Sequence, residues 1–250
     1  MTDARWLEAR VAECRHWTDA LFSLYVEADP VKFEAGQFAK LALPDLDGSG
    51  TEGAAGLIGR PYSFVNAPDG RPHEFFCVTV PKGPLSPRLA ALKPGDPIFL
   101  ARQPSGFLIL SEVPDANSLW LICTGTGIGP FLSILRTEAP WKRYGSIVLV
   151  QCTRFLAEQT HRSIIESIET QHPSQFCAIS LVTREAAHEG GRLMGGRIPQ
   201  AISDGRIESV AGVPLQGDSA QVMLCGNPGM IQEVTGVLNC LLYTSDAADE

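Results

Sequence analysis

The sequence predicts two domains: an antiparallel β-barrel over residues 1–112, then an α/β domain with a Rossmann-like parallel sheet over residues 113–239. Three observations carry this reading. The chain has 250 residues, enough for two modest domains with real cores. Its first hundred or so residues alternate short β-rich runs with Pro, Gly and Asp clusters, the spacing of a small barrel or sandwich. After about Asn117 the rhythm changes to strands alternating with helices, which favours a parallel sheet covered on both faces.

In the first domain the strand signals are "ALFSLYVEA", "GQFAKLALP", "YSFVNAP", "FFCVTVPKG" and "DPIFLAR". "LKPGDP" marks a turn, because Pro94 presets φ and Gly95 accepts a positive one. "PDLDGSGTEGAAGLIG", residues 44–59, reads as a loop. Beyond the boundary at "LSEVPDANS" come a strand "SLWLIC", a helix "GPFLSILRTE", a buried strand "SIVLVQC" and a helix over "LAEQTHRSIIESIETQ". A strand "FCAISLVT", a helix over "IPQAISDGRIES", a strand "QVMLCG" and a helix "GMIQEVTGVLN" complete the series.

Composition excludes several classes of function. With 20 Lys and Arg against 28 Asp and Glu, the formal net charge is −8, so the overall field attracts neither nucleic acid nor an anionic membrane. Any anionic ligand must be held by local basic groups. The N-terminal "MTDARWLEAR" lacks the apolar region of a signal peptide, and no apolar run reaches the roughly 18 residues of a membrane span. Cys14, Cys77, Cys123, Cys152, Cys177, Cys225 and Cys240 form no C-x-x-C pair, which argues against a disulfide framework, a structural metal or an iron–sulfur cluster. A reduced, cytoplasmic enzyme is the simplest reading. The five histidines, His16, His73, His161, His172 and His188, show no metal-ligand spacing, and no G-x-S-x-G elbow supplies a hydrolase nucleophile.

"CTGTGIGPFLSIL", residues 123–135, follows a buried strand and opens a helix. Gly125, Gly127 and Gly129 allow close backbone approach, and the helix N-terminus suits phosphate, although a plain βα turn has the same appearance. Arg154, Arg184 and Arg197 lie just past successive strands. Singly each reads as a surface charge. Together, at the carboxyl ends of parallel strands, they suit one anion such as the 2′-phosphate of NADP, where NAD would ask for an acidic residue. Cys225, in "LCGNPGMI", reads on residue type as a small buried hydrophobe, and its place at a strand end next to the glycine loop raises it.

Taken in order, "RPYS", "VTVPKGPLSPRLAALKPGD", "TGTGIGPFLSIL", "TRE", "GGRIP" and "LCGNPGM" resemble the bacterial ferredoxin/flavodoxin–NADP reductases over almost the whole chain. The resemblance implies an NADP-dependent FAD oxidoreductase with the FAD on the barrel and NADP(H) on the α/β domain. Arg60 would contact the FAD pyrophosphate, Tyr62 would stack on the isoalloxazine, and Ser63 would reach the flavin N5 edge, with Pro61 between them. Phe76, Cys77 and Val78 would line the flavin, and Pro84, Leu85 and Ser86 would bring backbone donors to its phosphates. Pro84 stands where the family often has lysine, which leaves a basic contact to Lys82 or Arg88. Thr126, between Gly125 and Gly127, would close the flavin site.

The catalytic set implied is Ser63, Tyr62 and Cys225, the last holding the nicotinamide, with Arg154, Arg184 and Arg197 on the 2′-phosphate. With no cluster in the chain, the electron acceptor would be a separate ferredoxin or flavodoxin. The reductase itself is expected to be a monomer. Two alternatives stay open: the reductase component of an oxygenase or another flavin electron-transfer system, and a truncated, non-catalytic cofactor-binding remnant. The tail "CLLYTSDAADE", residues 240–250, can be spelled by a sequencing-adapter end and is expected to be non-native, the natural chain continuing past Asn239 into a further strand and terminal aromatic residues.

Overall fold

The computed structural model describes residues 4–29, 31–45, 56–186, 191–215 and 217–246. Residues 46–55 of the expected loop and 247–250 of the expected tail lie outside the described residues. The chain forms two compact units, one of Met1–Glu112 with Gly129–Thr137 and one of Val113–Ile128 with Glu138–Glu250.

The first unit contains β1 (Trp6–His16), β2 (Leu21–Glu27), β3 (Phe38–Pro44), β4 (Leu57–Ser63), β5 (His73–Val78) and β6 (Pro97–Ala101), with a short helix α1 (Ser86–Ala90). The strands pair antiparallel in the order β4-β3-β6-β1-β2-β5. The two ends of this sheet meet where Phe64 bridges Phe75 and the Val65 N–H donates to the Glu74 carbonyl at 2.9 Å. That contact curls the sheet into a barrel.

Alternation explains the strands. In β1, Leu7, Ala9 and Val11 are buried while Glu8 and Arg10 are exposed, the period of two that lets one face fill a core. The barrel interior holds Phe22, Leu24, Leu41, Phe64, Phe75 and Leu100, each worth about 1.5–3 kcal/mol of burial. The expected turn is present, with Gly95 at φ 92°, the Asp96 N–H on the Lys93 carbonyl and the Asp96 carboxylate accepting the Lys93 N–H at 2.8 Å. Among the described residues one carboxylate lies inside: Glu74 accepts from the hydroxyls of Ser23 at 2.8 Å and Tyr25 at 3.0 Å and lies 3.9 Å from Arg136. Those partners offset the cost of burying its charge.

The second unit is a five-stranded parallel sheet of β7 (Ser118–Thr124), β8 (Ser146–Thr153), β9 (Phe176–Val182), β10 (Leu193–Gly195) and β11 (Ala220–Cys225), in the order β10-β9-β8-β7-β11. Its central strands are apolar throughout, as burial on both faces requires: Leu119 to Cys123 are all at 0 % exposure. The helices are α2 (Ile128–Leu135), α3 (Ala139–Arg143), α4 (Arg162–Gln171), α5 (Ile198–Ser203), α6 (Arg206–Ala211) and α7 (Pro228–Asp246). From Gly129 onward α2 packs with the first unit, where the Ser133 hydroxyl donates to the Asn66 carbonyl at 2.8 Å.

The predicted two-domain fold holds, with local corrections. The strand expected over 62–68 is β4, which begins at Leu57 and ends at Ser63. The helix expected from Leu156 is a 3-10 turn, Leu156–Glu158, followed by α4, because His161 takes a left-handed φ of 61°. The helix expected over 198–209 divides at Gly205, φ 72°, into α5 and α6. Helix α7 runs through Cys240 to Asp246 without a break at Asn239.

Candidate functional site

Because all five strands of the second unit run parallel, their carboxyl ends form one edge. There the chain makes two very close approaches. The turn Gly125–Gly127 follows β7, and a Cβ on Gly127 would lie 2.5 Å from the Cys225 carbonyl oxygen. Gly226, just past β11, has φ 139°, and a Cβ there would lie 2.1 Å from Thr124 Oγ1. Glycine is required at both positions, the second for conformation as well as space. The Thr124 hydroxyl accepts the Asn227 N–H at 2.8 Å, and the Asn227 side chain accepts the Gly229 N–H at 2.8 Å, capping α7. The two loops are thus locked together, with half-buried Thr126 in one and Cys225 in the other. Burial pushes the Cys225 thiol up to about 11, so it is a neutral, weak S–H donor and not a nucleophile. Its register partner Cys123 is fully buried and raised by the same cause.

The other half of this edge carries the three arginines. Arg154 follows β8, Arg184 follows β9 and Arg197 follows β10 as the N-cap of α5. Their backbones are joined: the Arg184 N–H donates to the Arg154 carbonyl at 2.9 Å, and the Gly196 N–H to the Val182 carbonyl at 2.9 Å. The side chains are not equivalent. Arg154 already pairs with Glu158, which takes its Nε at 2.9 Å and its backbone N–H at 2.9 Å. Arg184 and Arg197 are exposed and have no side-chain partner among the described residues. An incoming anion therefore meets two unshared guanidinium groups and one shared with an acid.

In the first unit, Arg60, Pro61, Tyr62 and Ser63 close β4, and Phe76, Cys77 and Val78 close β5. The two segments run past the Phe64–Phe75 bridge at the barrel seam. Tyr62 is half-buried against the barrel core; burial and the neighbouring Cys77 raise its pKa, so the phenol keeps its proton. Arg60 is exposed, its Nη1 on the Gly59 carbonyl at 2.7 Å. Phe76 and Cys77 are buried at 5 % and 1 % exposure, so a ligand could reach only their backbone, whereas Val78 and Val80 are 40 % and 52 % exposed. Uncovered aliphatic side chains close in sequence to Cys77, which neighbours a half-buried tyrosine, fit a flat aromatic ring system. The Ser86 hydroxyl accepts the Val80 N–H at 2.9 Å and fixes the loop, Leu85 is in the core, and Pro84 is exposed.

Sequence reasoning missed Thr124, Asn227 and Glu158 as parts of this architecture. Asn227 was open to discovery, since Asn-Pro directly after a strand is a helix-start signal.

Comparison with known proteins decides the family. Residues 121–236 match the oxidoreductase NAD-binding domain family. Over 230 residues the chain is 43% identical to the flavodoxin/ferredoxin–NADP reductases of Shigella flexneri and Escherichia coli, covering 92% of this chain and 88% of theirs. The chain belongs to the flavodoxin/ferredoxin–NADP reductase family. Another of the reductases, the ferredoxin–NADP reductase of Pseudomonas aeruginosa, is 31% identical over 240 residues, 92% of this chain and 88% of its own. Among solved structures, a ferredoxin NADP+ reductase from Neisseria gonorrhoeae with bound FAD and NADP matches with a TM-score of 0.85 at 30% identity, over 96% of this chain and 92% of that one. The reductase fold accounts for both units. Among the described residues no helix is long and apolar enough to cross a membrane.

Proposed function

We propose that this chain is an FAD-dependent NADP(H) oxidoreductase that exchanges electrons with ferredoxin or flavodoxin. The observation that carries the proposal is 43% identity to flavodoxin/ferredoxin–NADP reductases across 92% of the chain, together with a parallel-sheet edge that pairs a glycine cradle with three arginines. FAD, when bound, would supply the redox chemistry: two-electron exchange with NADP(H) and one-electron exchange with the protein partner.

The residues divide the work by their chemistry. Arg60 matches phosphate oxygens, the protonated Tyr62 offers a ring face, and the Ser63 hydroxyl can donate or accept at the flavin N5 edge. Phe76, Cys77 and Val78, with Pro84, Leu85 and Ser86, border the same cofactor. Gly125, Thr126 and Gly127 bring backbone N–H groups and the start of α2 to the dinucleotide phosphates. Arg184 and Arg197 hold the 2′-phosphate, and Arg154 joins them at the expense of its bond to Glu158. Cys225 packs against the nicotinamide as a neutral thiol. The scattered cysteines, with no C-x-x-C pair in the sequence, favour a reducing, cytoplasmic setting. The working form is a monomer.

The test uses the purified 250-residue chain. FAD should copurify in roughly equimolar amount, bleach anaerobically on addition of NADPH, and recover its colour when oxidised ferredoxin or flavodoxin is added. A colourless protein, or a yellow one that NADPH does not bleach, would overturn the proposal.

A further inference from the structure

Ser63 closes β4 half-buried, and among the described residues its hydroxyl has no hydrogen-bond partner. The chain just beyond it is held at every residue. The Phe64 N–H donates to the Gln37 carbonyl at 3.1 Å, and its ring stacks on Phe33 at 3.8 Å. The Val65 N–H donates to the Glu74 carbonyl at 2.9 Å. Asn66, at 4 % exposure, is a bracket: Nδ2 donates to the carbonyls of Gly70 at 2.6 Å and Pro72 at 3.2 Å, and Oδ1 accepts the Glu74 N–H at 3.1 Å. A Cβ on Gly70 would lie 2.7 Å from Asn66 Nδ2, so the turn is built around that amide. An unengaged hydroxyl on so closely bonded a frame has the form of a preorganised group.

Helix α2, from Gly129 onward part of the same unit, supplies the other side of the frame. Gly129, Ser133 and Arg136 follow at i, i+4 and i+7, one stripe of the helix and the turn that ends it. A Cβ on Gly129 would lie 3.5 Å from Val65 Cγ2 and 4.0 Å from Ser63 Cβ, so the helix backbone stands one methyl group away from Ser63. One turn on, Ser133, at 0 % exposure, donates its hydroxyl to the Asn66 carbonyl at 2.8 Å. At the far end Arg136 faces Glu74 at 3.9 Å. The Glu74 carboxylate is itself fixed by the hydroxyls of Ser23 and Tyr25, and Ser23 accepts the Trp17 indole N–H at 3.0 Å. The stripe thus meets the seam at Ser63, Asn66 and Glu74. Apolar packing is non-directional and would let a helix of eight residues roll, whereas a hydrogen bond and an ion pair beyond Gly129 hold one orientation.

We propose that Ser133 and Arg136 are positioning residues for Ser63. By locking α2 to Asn66 and Glu74 they keep Gly129 against Ser63 and fix where its hydroxyl stands. The inference rests on the reading of Ser63 as a group at the flavin N5 edge. Loosening the frame should cost at most what removing the hydroxyl costs, about tenfold in rate.

The test compares four FAD-loaded proteins: the unmodified chain, Ser63→Ala, the pair Ser133→Ala/Arg136→Met, and the triple variant. Anaerobic stopped-flow with NADPH varied to saturation should show the pair lowering the limiting rate of flavin reduction about threefold to tenfold with KM unchanged. Once Ser63 is alanine, the pair should have no further effect on that rate, because it acts through the missing hydroxyl. Hydrogen exchange read by mass spectrometry, without nucleotide, supplies a measure other than rate. Segments 62–67 and 129–137 should exchange faster in the pair while β1 exchanges as in the unmodified chain. Melting curves check folding, and Ser133→Ala alone replaces the pair if the pair does not fold. An equal fall of the limiting rate in the Ser63→Ala background, or rates and exchange in the pair equal to those of the unmodified chain, would overturn the inference and leave the functional reading standing. Failure of NADPH to bleach the unmodified chain, or an unchanged rate in Ser63→Ala, would overturn the reading of Ser63 and the inference with it.

Discussion

The barrel and the parallel sheet present their functional groups in different ways. The barrel's candidate groups are side chains, Arg60, Tyr62 and Ser63, set at the end of β4 beside the seam that closes the sheet. At the sheet edge, half of the candidate surface is backbone, brought into place by Gly127 and Gly226 because no side chain fits, and half is charge from arginines one strand apart. Backbone geometry is all-or-none, since a Cβ either collides or does not. Charge is graded, since each guanidinium adds its own increment. The two regions should therefore fail differently under mutation.

The largest effect is expected at Gly226. Gly226→Ala places a methyl group against Thr124 in a conformation that costs alanine about 1–3 kcal/mol, and it pushes the two loops apart. Flavin reduction by NADPH should fall about a hundredfold, as displacements near 1 Å can do, while FAD content stays at the unmodified level. Stopped-flow absorbance and cofactor release by heating measure the two quantities. Loss of FAD in parallel with rate would erase the distinction between the regions.

A second large effect belongs to the barrel core. His73 is fully buried, its ring nitrogens have no hydrogen-bond partner among the described residues, and it stands edge-on to Phe33 and Phe64. Burial, then Arg71, lowers its pKa from 6.5 to about 4. Below pH 6.5 the unfolded chain takes up a proton that the folded chain refuses, so stability falls as the pH drops from 6.5 to about 4 and levels off below. The loss amounts to about 3 kcal/mol. His73→Phe should flatten that part of a melting-temperature profile. A slope equal to that of the unmodified protein would show that His73 does not drive it.

Much of this contrast was legible in the sequence. The second sheet was readable because buried parallel strands are continuous apolar runs, such as Leu119 to Cys123, and because their carboxyl ends predict where Arg154, Arg184 and Arg197 gather. β1 escaped notice although Leu7, Ala9 and Val11 alternate cleanly, since charges at Glu8, Arg10, Glu13 and Arg15 mask the pattern. β10, three residues long, is too short for any period to show. The unequal standing of the arginines was not readable at all. The Arg154–Glu158 pair depends on a 3-10 turn that helical periodicity had hidden, and it exists only once the backbone is folded.

That inequality gives the next prediction. Arg184→Ala and Arg197→Ala should each raise the NADPH KM tenfold or more while moving the NADH value little, as charge-assisted bonds of about 1.5–3 kcal/mol imply. Arg154→Ala should do less, because its guanidinium must first share or leave Glu158. Equal effects from all three would mean that the Glu158 pairing does not persist in the complex. The smallest change is expected at Ser63. Ser63→Ala removes one neutral hydrogen bond and should slow flavin reduction about tenfold without loss of FAD, and an unchanged stopped-flow rate would remove Ser63 from the catalytic set.

The central claim is that the sheet edge chooses the dinucleotide while the barrel residues govern the chemistry once it is bound. Anaerobic stopped-flow reduction of the Arg184→Ala/Arg197→Ala double variant, with NADPH and NADH each varied to saturation, tests it most directly. The account predicts that the unmodified chain prefers NADPH, that the double variant treats the two nucleotides nearly alike, and that the limiting rate at saturation is unchanged. A preference for NADPH that survives both substitutions, or a limiting rate that collapses with them, would contradict it.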